Sequence, residues 1–134
     1  MSPVRILVVE DFAPFRQFVS EMLETGHDLQ IIGEVSDGLE AVHKAVELRP
    51  DLILLDIGLP TLNGIEVARE IRKLVPESKI IFLTQESSAD TVRAAHKLGA
   101  WGYIVKANAA SDLLPALDAV ISGEPFFSTE PLGS

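Results

Sequence analysis

Residues 53–60 read Ile53-Leu54-Leu55-Asp56-Ile57-Gly58-Leu59-Pro60. An unbroken apolar run of this kind fits a strand buried on both faces of a parallel sheet. The Gly and Pro that follow mark a turn. Asp56, the one carboxylate, falls where strand gives way to turn. A buried charge without a partner is costly. Asp56 is therefore either a turn residue whose short side chain bonds nearby backbone, or a group that does chemistry. The flanking segments bear on that choice.

Upstream, Val4-Arg5-Ile6-Leu7-Val8-Val9 reads as a first strand. Phe15, Phe18, Val19, Met22 and Leu23 then recur at helical spacing, with Pro14 in the first turn and Gly26 at the end. Leu29–Val35 is a second strand, and Ser36-Asp37-Gly38 opens a second helix that stops before Pro50. Leu52–Leu55 is the third strand. Downstream, Asn63-Gly64 precedes a helix that buries Ile65, Ala68, Ile71 and Val75 and ends at Pro76. Residues 79–83 form a fourth strand. Ser87-Ser88-Ala89-Asp90 resembles a capping box for the next helix, stopped by Gly99. Tyr103-Ile104-Val105 is a fifth strand, and a last helix runs from near Ser111 to Ile121. Pro115 fits that helix poorly unless it lies near the start. The segment from Glu124 onward reads as a linker or an ordered cap.

Five strand–helix units in alternation imply an α/β fold: a doubly wound five-stranded parallel sheet with helices on both faces. Its domain occupies residues 1–123, and 124–134 form a C-terminal tail or linker. In a flavodoxin-like order 2-1-3-4-5, ligands bind beyond the carboxyl ends of the strands, where the order reverses. The first strand ends in Glu10-Asp11, the third in Asp56 and the fourth in Thr84, and the fifth is followed by Lys106. Three carboxylates brought together repel one another unless a pKa rises or a cation binds. All the donors are hard oxygens, which favours Mg²⁺. Lys106 adds a point charge for an anionic group, and Thr84 a hydroxyl. An Asp beside a metal, a Lys and a Thr is placed to receive a phosphoryl group.

Composition narrows the function classes. The 134-residue chain has no Cys, so disulfides, thiolate nucleophiles and Cys-ligated metals are excluded. Its net charge of −9 argues against direct nucleic-acid binding. No apolar run is long enough to cross a membrane, and Met1-Ser2-Pro3-Val4-Arg5 lacks the zones of a signal peptide. A cytoplasmic protein is expected.

The pieces "ILVVED", "LILLDIGLPTLNGIEV", "IIFLTQ" and "LGAWGYIVK", in this order and spacing, resemble the receiver domain of two-component response regulators. The resemblance runs from about Val4 to Gly123. It implies Asp56 as phosphoacceptor, Glu10 and Asp11 as the acidic pair that handles Mg²⁺, and the Gly58 backbone carbonyl as a further metal ligand. Thr84 and Lys106 match the residues that grip phosphoryl oxygens, and Tyr103 matches an aromatic switch coupled to Thr84. A sensor histidine kinase or phosphotransfer protein is the implied donor, and a homodimer through the fourth-to-fifth-helix face the implied response. "VISGEPFFS" resembles the end of receivers from FixJ/NarL-type regulators, which implies transcription regulation as the output.

The sequence departs from the commonest family pattern at several places. Glu10 stands where Asp is frequent, Gln85 where a small residue is usual, and Ala107 where Pro is frequent, so the usual cis bond is not expected. Gly58 and Glu86 occupy positions that tune dephosphorylation in the family. A phosphorylation-independent binding module is the alternative reading. An Asp-nucleophile phosphohydrolase of the haloacid-dehalogenase type is a weaker one, because Gly58 stands where its second acid would be. His27, His43 and His96 receive no catalytic role. Trp101 reads either as packing or as part of an output surface.

Overall fold

The protein's structure, a computed structural model, describes residues 3–85 and 88–128. Strands β1 (Val4–Val9), β2 (Leu29–Val35), β3 (Leu52–Leu55), β4 (Lys79–Thr84) and β5 (Gly102–Val105) are all parallel. Helices α1 (Ala13–Glu24), α2 (Gly38–Leu48), α3 (Gly64–Leu74), α4 (Ala89–Lys97) and α5 (Ala109–Ile121) follow them in turn. The sheet order is β2-β1-β3-β4-β5-β6, which extends the expected flavodoxin-like order by one strand, β6 (Phe126–Phe127).

Side chains alternate across the central strands, so the sheet divides the core into two layers. Leu7, Val9, Ile53 and Leu55 face α2, α3 and α4, where Ala41, Ala45, Val67, Ile71, Val92 and Ala95 pack. Ile6, Val8, Leu52 and Leu54 face α1 and α5, where Val19, Leu23, Leu113, Leu117 and Val120 pack. All four residues of β3 are buried, which is why its sequence is continuously apolar rather than alternating.

Helix starts follow local chemistry. Asp37 caps α2 by accepting from the Glu40 N–H at 2.9 Å, and Asn63 caps α3 by accepting from the Glu66 N–H at 3.1 Å. Ser88 caps α4 by accepting from the Thr91 N–H at 3.2 Å. The cap is thus Ser88 paired with Thr91. Ser87, which the expected capping box included, lies outside the described residues, as do Glu86 and the tail from residue 129.

Two expectations need correction. The last helix begins at Ala109, earlier than Ser111, because a 3₁₀ turn over Lys106–Asn108 leads straight into it. Pro115 therefore lies inside α5. It offers no N–H to the Ser111 carbonyl, and the burial of Leu113, Ala116, Leu117 and Val120 outweighs that loss. The sheet also has a sixth strand where a tail or cap was expected. The Phe126 N–H donates to the Trp101 carbonyl at 2.9 Å and the Ser128 N–H to the Tyr103 carbonyl at 2.8 Å. Phe126 joins the α1/α5 layer and Phe127 the opposite one.

The β3–α3 loop, which carries Asp56 and Gly58, is clamped from two sides. The Gly38 N–H at the start of α2 donates to the Pro60 carbonyl at 3.1 Å, and the Leu39 N–H to Thr61 Oγ1 at 3.1 Å. The Gly64 N–H at the start of α3 donates to the Ile57 carbonyl at 2.7 Å. A Cβ at Gly64 would stand 2.1 Å from the Asp56 carbonyl oxygen and 2.6 Å from Ile57 Cα. Both neighbours are backbone and cannot swing aside. Gly64→Ala is expected to cost at least about 2 kcal/mol in urea unfolding. An unchanged midpoint would mean that the loop does not press on α3 in this way.

Candidate phosphoacceptor site

The carboxyl ends of β1 and β3 are neighbours, and backbone bonds fix the residues just beyond them. The Glu10 N–H donates to the Val35 carbonyl at 3.0 Å, and the Asp56 N–H to the Val9 carbonyl at 3.1 Å. Both carboxylates are pinned by strand ladders rather than by flexible loops. Glu10 is 3% exposed and Asp56 6%, so each needs a compensating partner.

Lys106, at the end of β5, supplies it for both. Its Nζ lies 2.6 Å from Glu10 Oε1 and 3.1 Å from Asp56 Oδ2. The Phe12 N–H donates to Glu10 Oε2 at 2.9 Å, and the Arg16 guanidinium to the Glu10 carbonyl at 2.8 Å. The Gly58 N–H makes a long contact of 3.4 Å with Asp56 Oδ1.

Burial pushes the Glu10 carboxyl above its ordinary value. The Lys106 hydrogen bond and the Phe12 N–H pull the other way, and the charge of Asp56 adds to the rise. Burial alone would depress the Lys106 ammonium, but its hydrogen bonds to Glu10 and Asp56 outweigh it and hold it above the ordinary lysine value. The two carboxylates thus favour the charged lysine jointly, while each is held short of full compensation by the other.

Asp11, Asp56, Gly58, Thr84, Gln85 and Lys106 line a cleft of about 370 Å³, with Phe12 at its rim. Thr84 is 2% exposed and enters from the end of β4. Carboxylate oxygens of Glu10, Asp11 and Asp56 lie within 4.8 Å of one another. Glu10 Oε1 is buried and, beyond its close ion-pair contact with Lys106, has no hydrogen-bond donor among the described residues. Three clustered carboxylates, one with unspent acceptor capacity and no soft donor, suit a hard divalent cation. A larger hollow of about 520 Å³ lies between α3 and α4, lined by Asn63, Glu66, Arg69 and Asp90. Among the described residues no three acids converge on it, whereas Glu10, Asp11 and Asp56 converge at the smaller cleft.

The structure therefore gathers Glu10, Asp11, Asp56, Gly58, Thr84 and Lys106 as the sequence suggested. Tyr103 stands apart from the cleft. It is fully buried behind the sheet, opposite Phe82 on β4, with ring centroids 6.3 Å apart. Phe127 lies on its other side at 6.2 Å and stacks on His96 at 3.8 Å. Trp101 packs against the α1/α5 layer beneath the Lys79 ammonium, 4.3 Å from its ring. Every peptide bond among the described residues is trans. Sequence reasoning missed Phe12, Phe15 and Arg16 as neighbours of the site. A helical stripe shows which residues face inward, and it does not show which of them end beneath a lysine.

A doubly wound sheet with an acidic cleft at its switch point, a Thr and a Lys defines the class. Residues 6–118 match the response regulator receiver domain, and the chain belongs to that family. It is 35% identical over 130 residues to the transcriptional regulatory protein LiaR of Bacillus subtilis, covering 97% of this chain and 62% of that protein. It is 34% identical to the response regulator protein VraR of Staphylococcus saprophyticus, with the same coverage. The chain thus spans a little under two thirds of the length of these relatives. Among solved structures, a LuxR-family two-component response regulator from Aurantimonas sp. superposes with a TM-score of 0.89 at 28% identity, covering 95% of this chain and 91% of that one. The response regulator domain of Thermotoga maritima CheB gives 0.83 at 32%, covering 92% and 99%.

The Lys106 ion pairs have a pH signature. A lysine whose folded pKa is raised contributes stability fully below its unfolded value and loses it as pH climbs through the folded one. Lys106→Met strands two buried carboxylates and is expected to cost about 3 kcal/mol at pH 7. In urea unfolding the gap between wild type and Lys106→Met should hold steady through neutral pH and narrow above pH 10.5. A gap that stays constant there would show that the ammonium is not what the carboxylates rely on.

Proposed function

We propose that this chain is the phosphoacceptor receiver of a two-component response regulator, with Asp56 as the acceptor. The observation that carries the reading is the single ammonium of Lys106 placed between Asp56 and Glu10, in a cleft that also holds Asp11 and Thr84. The donor is a phosphohistidine of a sensor kinase or phosphotransfer protein. A carboxylate oxygen of Asp56 attacks phosphorus as the phosphorus–nitrogen bond breaks, and the electron pair leaves with the imidazole. The product is an acyl phosphate on Asp56.

Glu10, Asp11, Asp56 and the Gly58 carbonyl would hold Mg²⁺, which when bound neutralises charge on the phosphoryl oxygens. Lys106 and the Thr84 hydroxyl serve those oxygens from the opposite side of the cleft. Lys106 is already desolvated and aimed, so little reorganisation is needed when charge develops. The same groups promote hydrolysis of the acyl phosphate by water, so the domain is a self-resetting switch rather than a turnover enzyme.

Phosphorylation biases a two-state surface through Thr84 and Tyr103, which lie on adjacent strands. The receiver body runs through residues 1–123, and 124–134 form a C-terminal tail or linker, of which residues 126–128 pair with the sheet edge. The name of the Bacillus subtilis relative supports transcription regulation as the output. A homodimer formed on phosphorylation is the expected response, in the cytoplasm.

Intact mass after incubation with acetyl phosphate and Mg²⁺ tests the reading. Wild type is expected to gain one phosphoryl group, and Asp56→Asn or omission of the metal to abolish the gain. An adduct that persists in Asp56→Asn would move the acceptor elsewhere. Failure to bind beryllofluoride, a phosphoryl mimic, would favour a phosphorylation-independent module.

A further inference from the structure

Lys106 has a third neighbour besides its two carboxylates. Its Nζ lies 4.8 Å from the centroid of the Phe15 ring, over the face. A cation within about 6 Å of a ring face is attracted by the ring quadrupole, more strongly when desolvated. The Lys106 side chain is only 13% exposed.

The ring is held from behind. Phe15 is half-buried in the first turn of α1, packs on Phe18 with centroids 5.5 Å apart, and joins the α1/α5 core layer. Pro14 fixes the entry of α1, and the neighbouring Arg16 ties the helix to the Glu10 carbonyl. Lys106 itself lines, with Phe12, Phe15, Val105 and Ala107, a hollow of about 440 Å³. A flexible four-carbon stem bordering open space needs something to keep it over the cleft.

The three partners differ in kind. Glu10 and Asp56 are anions, and both change their charge environment when a cation enters the acidic cluster or when Asp56 is esterified. The Phe15 ring is neutral and keeps the same attraction for the ammonium through all of those states. We propose that Phe15 is a positioning residue for the phosphoryl-transfer reaction. It acts as a charge-independent rest that holds the Lys106 ammonium at the cleft after the carboxylates have been engaged elsewhere. This rests on the phosphoacceptor reading above and goes beyond it, because the role falls on a residue outside the set of acidic, hydroxyl and lysine groups.

Two measurements on the whole chain test it. The first needs no phosphoryl group: the Lys106 ε-methylene resonances should be shifted upfield by the ring current of Phe15. That shift should vanish in Phe15→Leu and persist in Phe15→Trp. The second is calorimetric titration with beryllofluoride in saturating Mg²⁺. Phe15→Leu should weaken binding by about five- to thirtyfold, the scale of a partly to fully desolvated cation–π contact. Affinity for Mg²⁺ alone should stay unchanged, and Phe15→Trp should bind at least as well as wild type. In a Lys106→Met background, Phe15→Leu should have no further effect, because the two residues act through one contact.

A missing ring-current shift overturns the proposal. So does a Leu variant that binds beryllofluoride like wild type, or a loss shared equally by Leu and Trp, which would mark a packing role. Wild type that binds no beryllofluoride, with the ring-current shift present, overturns the phosphoacceptor reading and with it the purpose assigned to the contact.

Discussion

Two carboxylates stand almost fully buried at the carboxyl ends of adjacent parallel strands, and one ammonium answers both. Neither acid can retreat, since each is pinned through its backbone N–H to a neighbouring strand. The lysine arrives from the far side of the sheet at the end of β5, beyond β4. Three separate stretches of chain must therefore meet before the charges balance. The parallel, doubly wound topology makes that meeting unavoidable, because every strand delivers its carboxyl end to the same edge. A single lysine shared between two acids also leaves negative charge in excess, and that excess is what a cation would relieve.

The same edge shows how packing serves chemistry. The strand that presents Asp56 is apolar on both faces, so its position is set by two hydrophobic layers at once. The turn beyond it is pressed between the starts of α2 and α3, with glycines where a side chain would strike backbone. A carboxylate on such a support has little freedom to wander. Interiors of this density transmit small displacements rather than absorb them. Tyr103 and Thr84 lie on neighbouring strands within this packing, and Tyr103 belongs to the core layer formed with α2, α3 and α4.

Much of this was legible in the residues. Periodicity placed the five central strands and their helices, and the rule for parallel sheets put Glu10, Asp11, Asp56, Thr84 and Lys106 at one edge. Those residues end strands, and strand ends are what a topology rule predicts. The start of α5 was not legible, because Pro115 argued for a later beginning and only the packing of Leu113 and Leu117 overrides it. Strand β6 was not legible either. Two phenylalanines after Gly-Glu-Pro carry no alternation long enough to signal a strand, and their pairing depends on the exposed edge of β5. The pairing of Phe15 with Lys106 joins residues far apart in sequence and of no obvious affinity, so it emerges only in the folded chain.

Strand β6 also sets how the body would bear mechanical load. It runs parallel to β5, and its two phenylalanines enter opposite layers of the core. A pull on the chain from Ser128 along the strand would load the backbone bonds to Trp101 and Tyr103 in shear, together, rather than opening them one after another like a zipper. The rings would have to leave both layers at the same moment. Tension along the chain at Ser128 would thus meet Tyr103, through its carbonyl and its ring contact with Phe127, before it reached the rest of the sheet.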